Sequence, residues 1–251
     1  MRPYEGDYYN TGRETFLLPV RWEDGWPVMT DHGDVVPYVL DRPNLPRADT
    51  SAIPMSGNFA FREDFDDREL DLYWLFVRVP QEKWYDLERE PGTLVIEPRP
   101  DSIGGIAQPS FIGRRQQHMY ASASTAMRYR PEQSGDIAGL VAFQSDEFYY
   151  FLGLGLDVHG ETVVELRMRA GADDPANGLV IASAPLQIES GAPVYLKIDA
   201  KGGLYDFSYG TDEGEWSILI GNADGRVLST RTAGGFVGVT FGVYAYSAET
   251  D

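Results

Sequence analysis

Residues 193–220, PVYLKIDAKGGLYDFSYGTDEGEWSILI, decide the fold. Val194, Leu196 and Ile198 alternate with Tyr195, Lys197 and Asp199, a period of two that gives a strand one apolar and one polar face. Lys201-Gly202-Gly203 supplies a tight turn into a second strand over 204–209. Thr211-Asp212-Glu213-Gly214 supplies the next, with glycine for the positive φ that short hairpin loops demand, and leads into a third strand over 216–220. Upstream, 161–169 repeats the signature: Thr162, Val164, Leu166 and Met168 form one face, and Val163, Glu165, Arg167 and Arg169 a wet one. Further strands are predicted over 59–65, 73–78, 93–97, 118–129, 137–144, 149–157 and 236–246. No stretch of 12 or more residues keeps the i, i+3, i+4, i+7 spacing of an amphipathic helix. Short strands, Gly and Pro turns and absent helix signals together predict an all-β, two-sheet antiparallel β-sandwich.

Composition narrows the function. A chain of 251 residues with 43% hydrophobic and 24% charged residues can build a core. Its 21 Lys and Arg against 39 Asp and Glu give a net charge of −18, which repels a phosphate backbone and excludes nucleic acid as the expected partner. Without cysteine there are no disulfides, thiolate metal ligands or thiol nucleophiles. The three histidines, His32, His118 and His159, have no ligand spacing. No apolar run approaches the roughly 18 residues of a membrane span, and the longest, such as 148–152, is strand-sized. The first residues lack the basic and apolar regions of a secretory signal and read as a start inside a folded sequence. The first fifty are rich in Pro and aromatics and read as an extended segment, so domains are expected at 1–55 and 56–251, with the boundary at Asp49 to Ser56.

Two separated motifs carry a resemblance. Thr11-Gly12-Arg13-Glu14-Thr15-Phe16-Leu17-Leu18-Pro19-Val20-Arg21-Trp22-Glu23-Asp24-Gly25-Trp26-Pro27-Val28 resembles the end of the catalytic propeller in glycoside hydrolase family 43 β-xylosidases and α-L-arabinofuranosidases. Gly113-Arg114-Arg115-Gln116-Gln117-His118 resembles a signature of the sandwich that follows it, and Phe61-Arg62-Glu63-Asp64-Phe65, Ala138-Gly139-Leu140-Val141 and Gly235-Phe236-Val237-Gly238 keep the same order. The resemblance implies a concanavalin-A-like jelly roll of the carbohydrate-binding module family 91 type, preceded by a remnant of the last propeller blade. It also implies that the two carboxylates such hydrolases need lie upstream. The chain is therefore expected to be non-catalytic and to bind xylan or arabinoxylan. The alternative is a domain that braces a separate catalytic propeller without sugar affinity; an intact hydrolase ranks third. By the same resemblance the compartment is periplasmic or extracellular, no cofactor is required, and a structural calcium ion is left open with Asp64 and Asp66 as candidates. The resemblance also implies one more strand after 246, whose loss would expose a sheet edge to homodimerisation.

Site candidates follow from side-chain chemistry. Arg13 is implied by the resemblance to be a sugar contact of the propeller, orphaned without it. Arg114, Gln116 and His118 alternate onto one face as donors and acceptors for hydroxyls, or else form a buried network or a seam against another domain. Trp74, Trp84, Tyr85, Tyr120, Tyr149 and Tyr150 are aromatic platforms on which pyranose C–H faces stack. Trp74, alternating with Phe76, reads as core; Trp84 and Tyr85, following Pro80-Gln81-Glu82-Lys83, read as an exposed loop and lead the candidates. Near the C-terminus the family places an aromatic over the catalytic pocket. The matching position here is about Thr232, which departs from that pattern.

Overall fold

The alternating segments pair as antiparallel strands in a computed structural model of the chain, which describes residues 3–37, 39–46 and 57–248. In chain order the strands are β1 (Arg21–Glu23), β2 (Trp26–Val28), β3 (Leu75–Phe76), β4 (Tyr85–Asp86), β5 (Val95–Ile96), β6 (Ser110–Arg115), β7 (Tyr120–Met127) and β8 (Ile137–Ser145). They continue as β9 (Phe148–Leu156), β10 (Thr162–Ala170), β11 (Leu179–Pro185), β12 (Val194–Lys201), β13 (Leu204–Gly210), β14 (Ser217–Asp224) and β15 (Thr240–Tyr246), with one short α-helix among the described residues, α1, at Thr230–Ala233. The chain divides into two units, Glu14–Asp64 and a larger one formed by Met1–Arg13 with Phe65–Asp251. The boundary expected at Asp49 to Ser56 lies outside the described residues.

The smaller unit holds the β1–β2 hairpin, in which Trp22 pairs with Pro27 and Glu23 with Trp26 across a turn of Asp24 and Gly25, both at positive φ. Its tryptophans are exposed, Trp22 to 70% and Trp26 to 75%. The strand predicted over 59–65 does not form: no ladder runs through these residues, and Phe65 sits at φ 53°, where a non-glycine residue cannot continue one.

The larger unit is the sandwich. A four-stranded sheet of order β14-β13-β12-β7 faces a seven-stranded sheet of order β11-β10-β9-β8-β15-β6-β3, every pairing antiparallel. Between them Leu152, Leu154, Val164 and Leu166 meet Val194, Leu196, Ile198 and Phe207 in one core, each such side chain contributing about 1.5–3 kcal/mol by leaving water. The alternation read in β12 holds, with Val194, Leu196 and Ile198 buried and Tyr195, Lys197 and Asp199 half-buried on the outer face. In β10 the wet face is a misreading, since Glu165 and Arg169 are buried. The chain between β5 and β6 covers that side of the large sheet, and Ile103 joins Phe111, Val141, Phe151 and Tyr244 in a second core. Arg169 Nη1 donates to the carbonyls of Gly104 and Asp146, both at 2.6 Å, and Arg167 Nε to Glu165 at 2.6 Å. The last described strand, β15, is paired on both sides, so the sheet edges are β11 and β3, and β14 and β7.

Candidate functional site

Residues 3–13 run along one end of the sandwich and join it through a buried polar chain. The Val239 N–H donates to the Asn10 carbonyl at 2.7 Å and the Arg13 N–H to Phe236 at 3.3 Å. Asn10 Nδ2 donates to the Tyr205 hydroxyl and the Gly225 carbonyl, each at 3.0 Å, while its Oδ1 accepts from the Tyr4 hydroxyl at 3.1 Å. Tyr205 in turn donates to Gln116 Oε1 at 2.6 Å, and Gln116 Nε2 to the His118 carbonyl at 2.9 Å. Gln116, a predicted sugar contact, is 3% exposed with both ends of its amide engaged, so the motif around it works as an internal network. The alternation read over 114–118 also fails, because β6 ends at Arg115 and Gln116 turns inward. Arg114 stays on the strand, its guanidinium 4.5 Å from the Tyr73 ring centroid, and His118 is half-buried.

The leading aromatic candidate is corrected. Trp84 is 3% exposed, not a solvent loop. It meets Phe76 edge-on at 5.8 Å and Tyr85 at 5.6 Å, because the β4–β5 hairpin folds the segment after Pro80 onto β3. Tyr85 is half-buried, 5.6 Å from Phe76, with Lys83 Nζ 5.6 Å from its ring. Tyr149 and Tyr150 are core residues, burial pushing the Tyr150 hydroxyl up to about 12 and Tyr149 further. Tyr120 is different: at 74% exposure it opens β7 on the outer face of the four-stranded sheet.

Two further features carry chemistry. Arg13 is exposed and stacks its guanidinium 3.7 Å over the Phe236 ring, itself exposed. Gly12, at φ 70°, makes that placement available, since an added Cβ would strike the backbone of Val237 and Gly238. Phe236 was read as part of a strand and of the motif Gly235-Phe236-Val237-Gly238, not as a site residue; the Gly234-Gly235 pair before it, both at positive φ, marks the loop that presents it. Thr232 lies in α1. Among the described residues the three buried carboxylates are engaged: Glu165 by Arg167, Asp136 by the N–H groups of Glu132 and Gln133 and the Ser247 hydroxyl, Asp206 by Lys201 and the Asn222 N–H. Burial opposes ionisation of Asp206, yet these two donors outweigh it and lower its pKa. Asp86, Asp157 and Asp224 are lowered as well, chiefly by the Glu88 N–H, the Glu161 N–H and the Arg226 side chain respectively. The calcium candidates do not gather a donor set: Asp64 Oδ1 accepts from Arg62 Nε at 2.6 Å, Asp66 is exposed, and no three His, Asp or Glu side chains converge among the described residues.

Comparison with known proteins gives one consistent set of matches. The family model for the β-xylosidase C-terminal concanavalin A-like domain matches residues 62–251. The chain is 33% identical over 246 residues to the non-reducing end alpha-L-arabinofuranosidase BoGH43B of Bacteroides ovatus, covering 98% of this chain and 44% of that protein. It is 30% identical over 250 residues to a xylosidase/arabinosidase of Butyrivibrio fibrisolvens, covering 98% and 45%. The solved structure of Bacteroides ovatus xyloglucan PUL GH43B superposes with a TM-score of 0.83 at 33% identity, over 98% of this chain and 46% of that one. The chain thus spans under half the length of the relatives it matches.

Proposed function

The chain belongs to the family of β-xylosidase C-terminal concanavalin A-like domains, and from that premise we propose that it is a non-catalytic accessory sandwich of a family 43 glycosidase that binds xylan or arabinoxylan type polysaccharide outside the cytoplasm. The observation that carries the reading is the state of the carboxyl groups. Hydrolysis of a glycosidic bond needs one carboxylic acid held protonated, its pKa raised, opposite a second that is ionised. Among the described residues every carboxyl whose pKa moves is lowered, and the buried ones are tied to cations, a hydroxyl or backbone N–H groups. The relatives carry the names arabinofuranosidase and xylosidase, which supports pentose polymers as the ligand class.

A solvated sugar on a shallow surface supports roughly 4–7 kcal/mol, dissociation constants between about a millimolar and ten micromolar. Affinity electrophoresis in gels containing soluble arabinoxylan or xylan is expected to retard the protein. The second reading, a domain that braces a catalytic propeller, is supported by the exposed Arg13–Phe236 stack and, in the smaller unit, by Trp22 and Trp26. Migration unchanged by any of these polymers removes the first reading and leaves the second.

A further inference from the structure

The outer face of the four-stranded sheet is built unlike the rest of the surface. It presents Tyr195, Lys197, Asp199 and Lys201 of β12, and the register places Ser124 of β7 and Ser208 of β13 beside Lys197, and Ser122 and Asp206 beside Asp199. Two of the chain's three lysines lie here, each two positions from Asp199. Lys197 Nζ pairs with Asp199 Oδ2 at 2.8 Å, and Lys201 with Asp206. In a chain of net charge −18 these four groups cancel, so this patch attracts neither anions nor cations and offers oriented donors and acceptors instead. Aromatic rings stand at both ends. Tyr195 and Trp216, the latter 5.6 Å from Lys197 Nζ, lie at one end; Tyr120, paired with Lys201, lies at the other. The six residue steps from 195 to 201 separate them by about 20 Å, and between them β7 contributes only exposed, small side chains, Ser122, Ser124 and Ala126.

We propose that this face is the polysaccharide site: a neutral, xylan-type chain lies along β12, its pyranose C–H faces stacked on Tyr120 at one end and on Trp216 and Tyr195 at the other. Its hydroxyls are met by Ser122 and Ser124 of β7 and by Lys197, Asp199 and Lys201 of β12, while Asp206 and Ser208 of β13 are buried and serve to hold the lysine heads and the sheet in place. The inference rests on the binding function proposed above and assigns its residues. Charge cancellation selects an unsubstituted or arabinose-bearing polymer over an acidic one, which the remaining surface repels.

The test compares the full chain with Tyr120→Ala, Trp216→Ala and Ser124→Ile by calorimetry with xylo-oligosaccharides and by electrophoresis in arabinoxylan gels, with thermal melts run alongside. Tyr120 is exposed, so its removal leaves the core intact; Ser124→Ile places a branched side chain, well suited to a strand, in the middle of the face. Each variant is expected to weaken the dissociation constant about tenfold at unchanged melting temperature, while Leu72→Ser, at a fully exposed position, leaves it unaltered. Should Trp216→Ala unfold, Ser124→Ile and Tyr120→Ala still decide. Retention by the unsubstituted chain that survives both of them overturns the site but not the function. Absence of retention by the unsubstituted chain overturns both.

Discussion

Tyr205 is the residue on which the order of the sandwich end depends. Its ring packs 6.5 Å from Phe207 in the core, and its hydroxyl both accepts from Asn10 and donates to Gln116, so one buried oxygen joins the segment before β1 to the chain leaving β6. Replacing it by Phe preserves the ring and removes the oxygen. Gln116 Oε1 and one Asn10 N–H then lose their partner in a buried site, a loss of about 1–3 kcal/mol. Urea unfolding of Tyr205→Phe is expected to show a lower midpoint at unchanged slope; a midpoint equal to that of the parent protein would show that water or a rotamer change replaces the bond. The sequence reading found this motif as a dense set of polar planar side chains, Arg114 to His118. Composition identifies such a cluster but not the direction it faces, and here Gln116 is turned inward by the Tyr205 hydroxyl, 89 residues away, which Asn10 holds in turn.

At the scale of strands, the legible part was period two and turn chemistry. The alternation of β12 is legible because its inner residues are core and its outer ones only half-buried, which is the condition under which alternation survives in a sequence; in β13 the outward Asp206 and Ser208 are buried as well, and there turn chemistry carried the reading. Both faces of the large sheet are covered, and there the reading faltered. Glu165 and Arg169 looked wet, β6 was seen as a motif only, and β11, Leu-Val-Ile-Ala-Ser-Ala-Pro along an edge with a bulge against β10, has no alternation to find. The second core also explains glycines that strands otherwise avoid. Phe151 lies across Gly153, and Phe111 across Gly113 and Gly242, in ladder positions where a Cβ would collide with the ring. Gly153→Ala puts a methyl group against both the Phe151 ring and the Ala138 carbonyl. Overpacking of this kind costs about 1–3 kcal/mol, and a corresponding drop in thermal midpoint is expected although alanine suits a strand at least as well as glycine. A variant as stable as the parent would mean that Phe151 moves aside freely and that the second core is loosely packed.

Taken whole, the molecule is an acidic shell around a core that is rich in tyrosine, and its response to pH follows from that. Among the 15 tyrosines, Tyr4, Tyr129, Tyr149, Tyr150, Tyr205 and Tyr244 all have hydroxyls pushed up, in each case first by burial; Tyr4 and Tyr150 reach about 12. In the unfolded chain these groups titrate near 10. Between that value and the folded one the native state holds protons that the unfolded state has released, so their contribution is complete below about pH 10 and is lost as pH rises further. The lowered aspartates act in the opposite direction: Asp206 and Asp224 stabilise above the ordinary carboxyl range and cease to do so as pH falls through it. Stability is therefore expected to be level from about pH 5 to 9 and to collapse above 10, where the growing negative charge adds repulsion. Tyrosinate absorbance followed together with circular dichroism checks this. The buried set is expected to ionise in one step with the loss of the sheet signal. If the buried set ionises near 10 while the sheets persist, its hydroxyls are reached by water and the two-core packing is wrong.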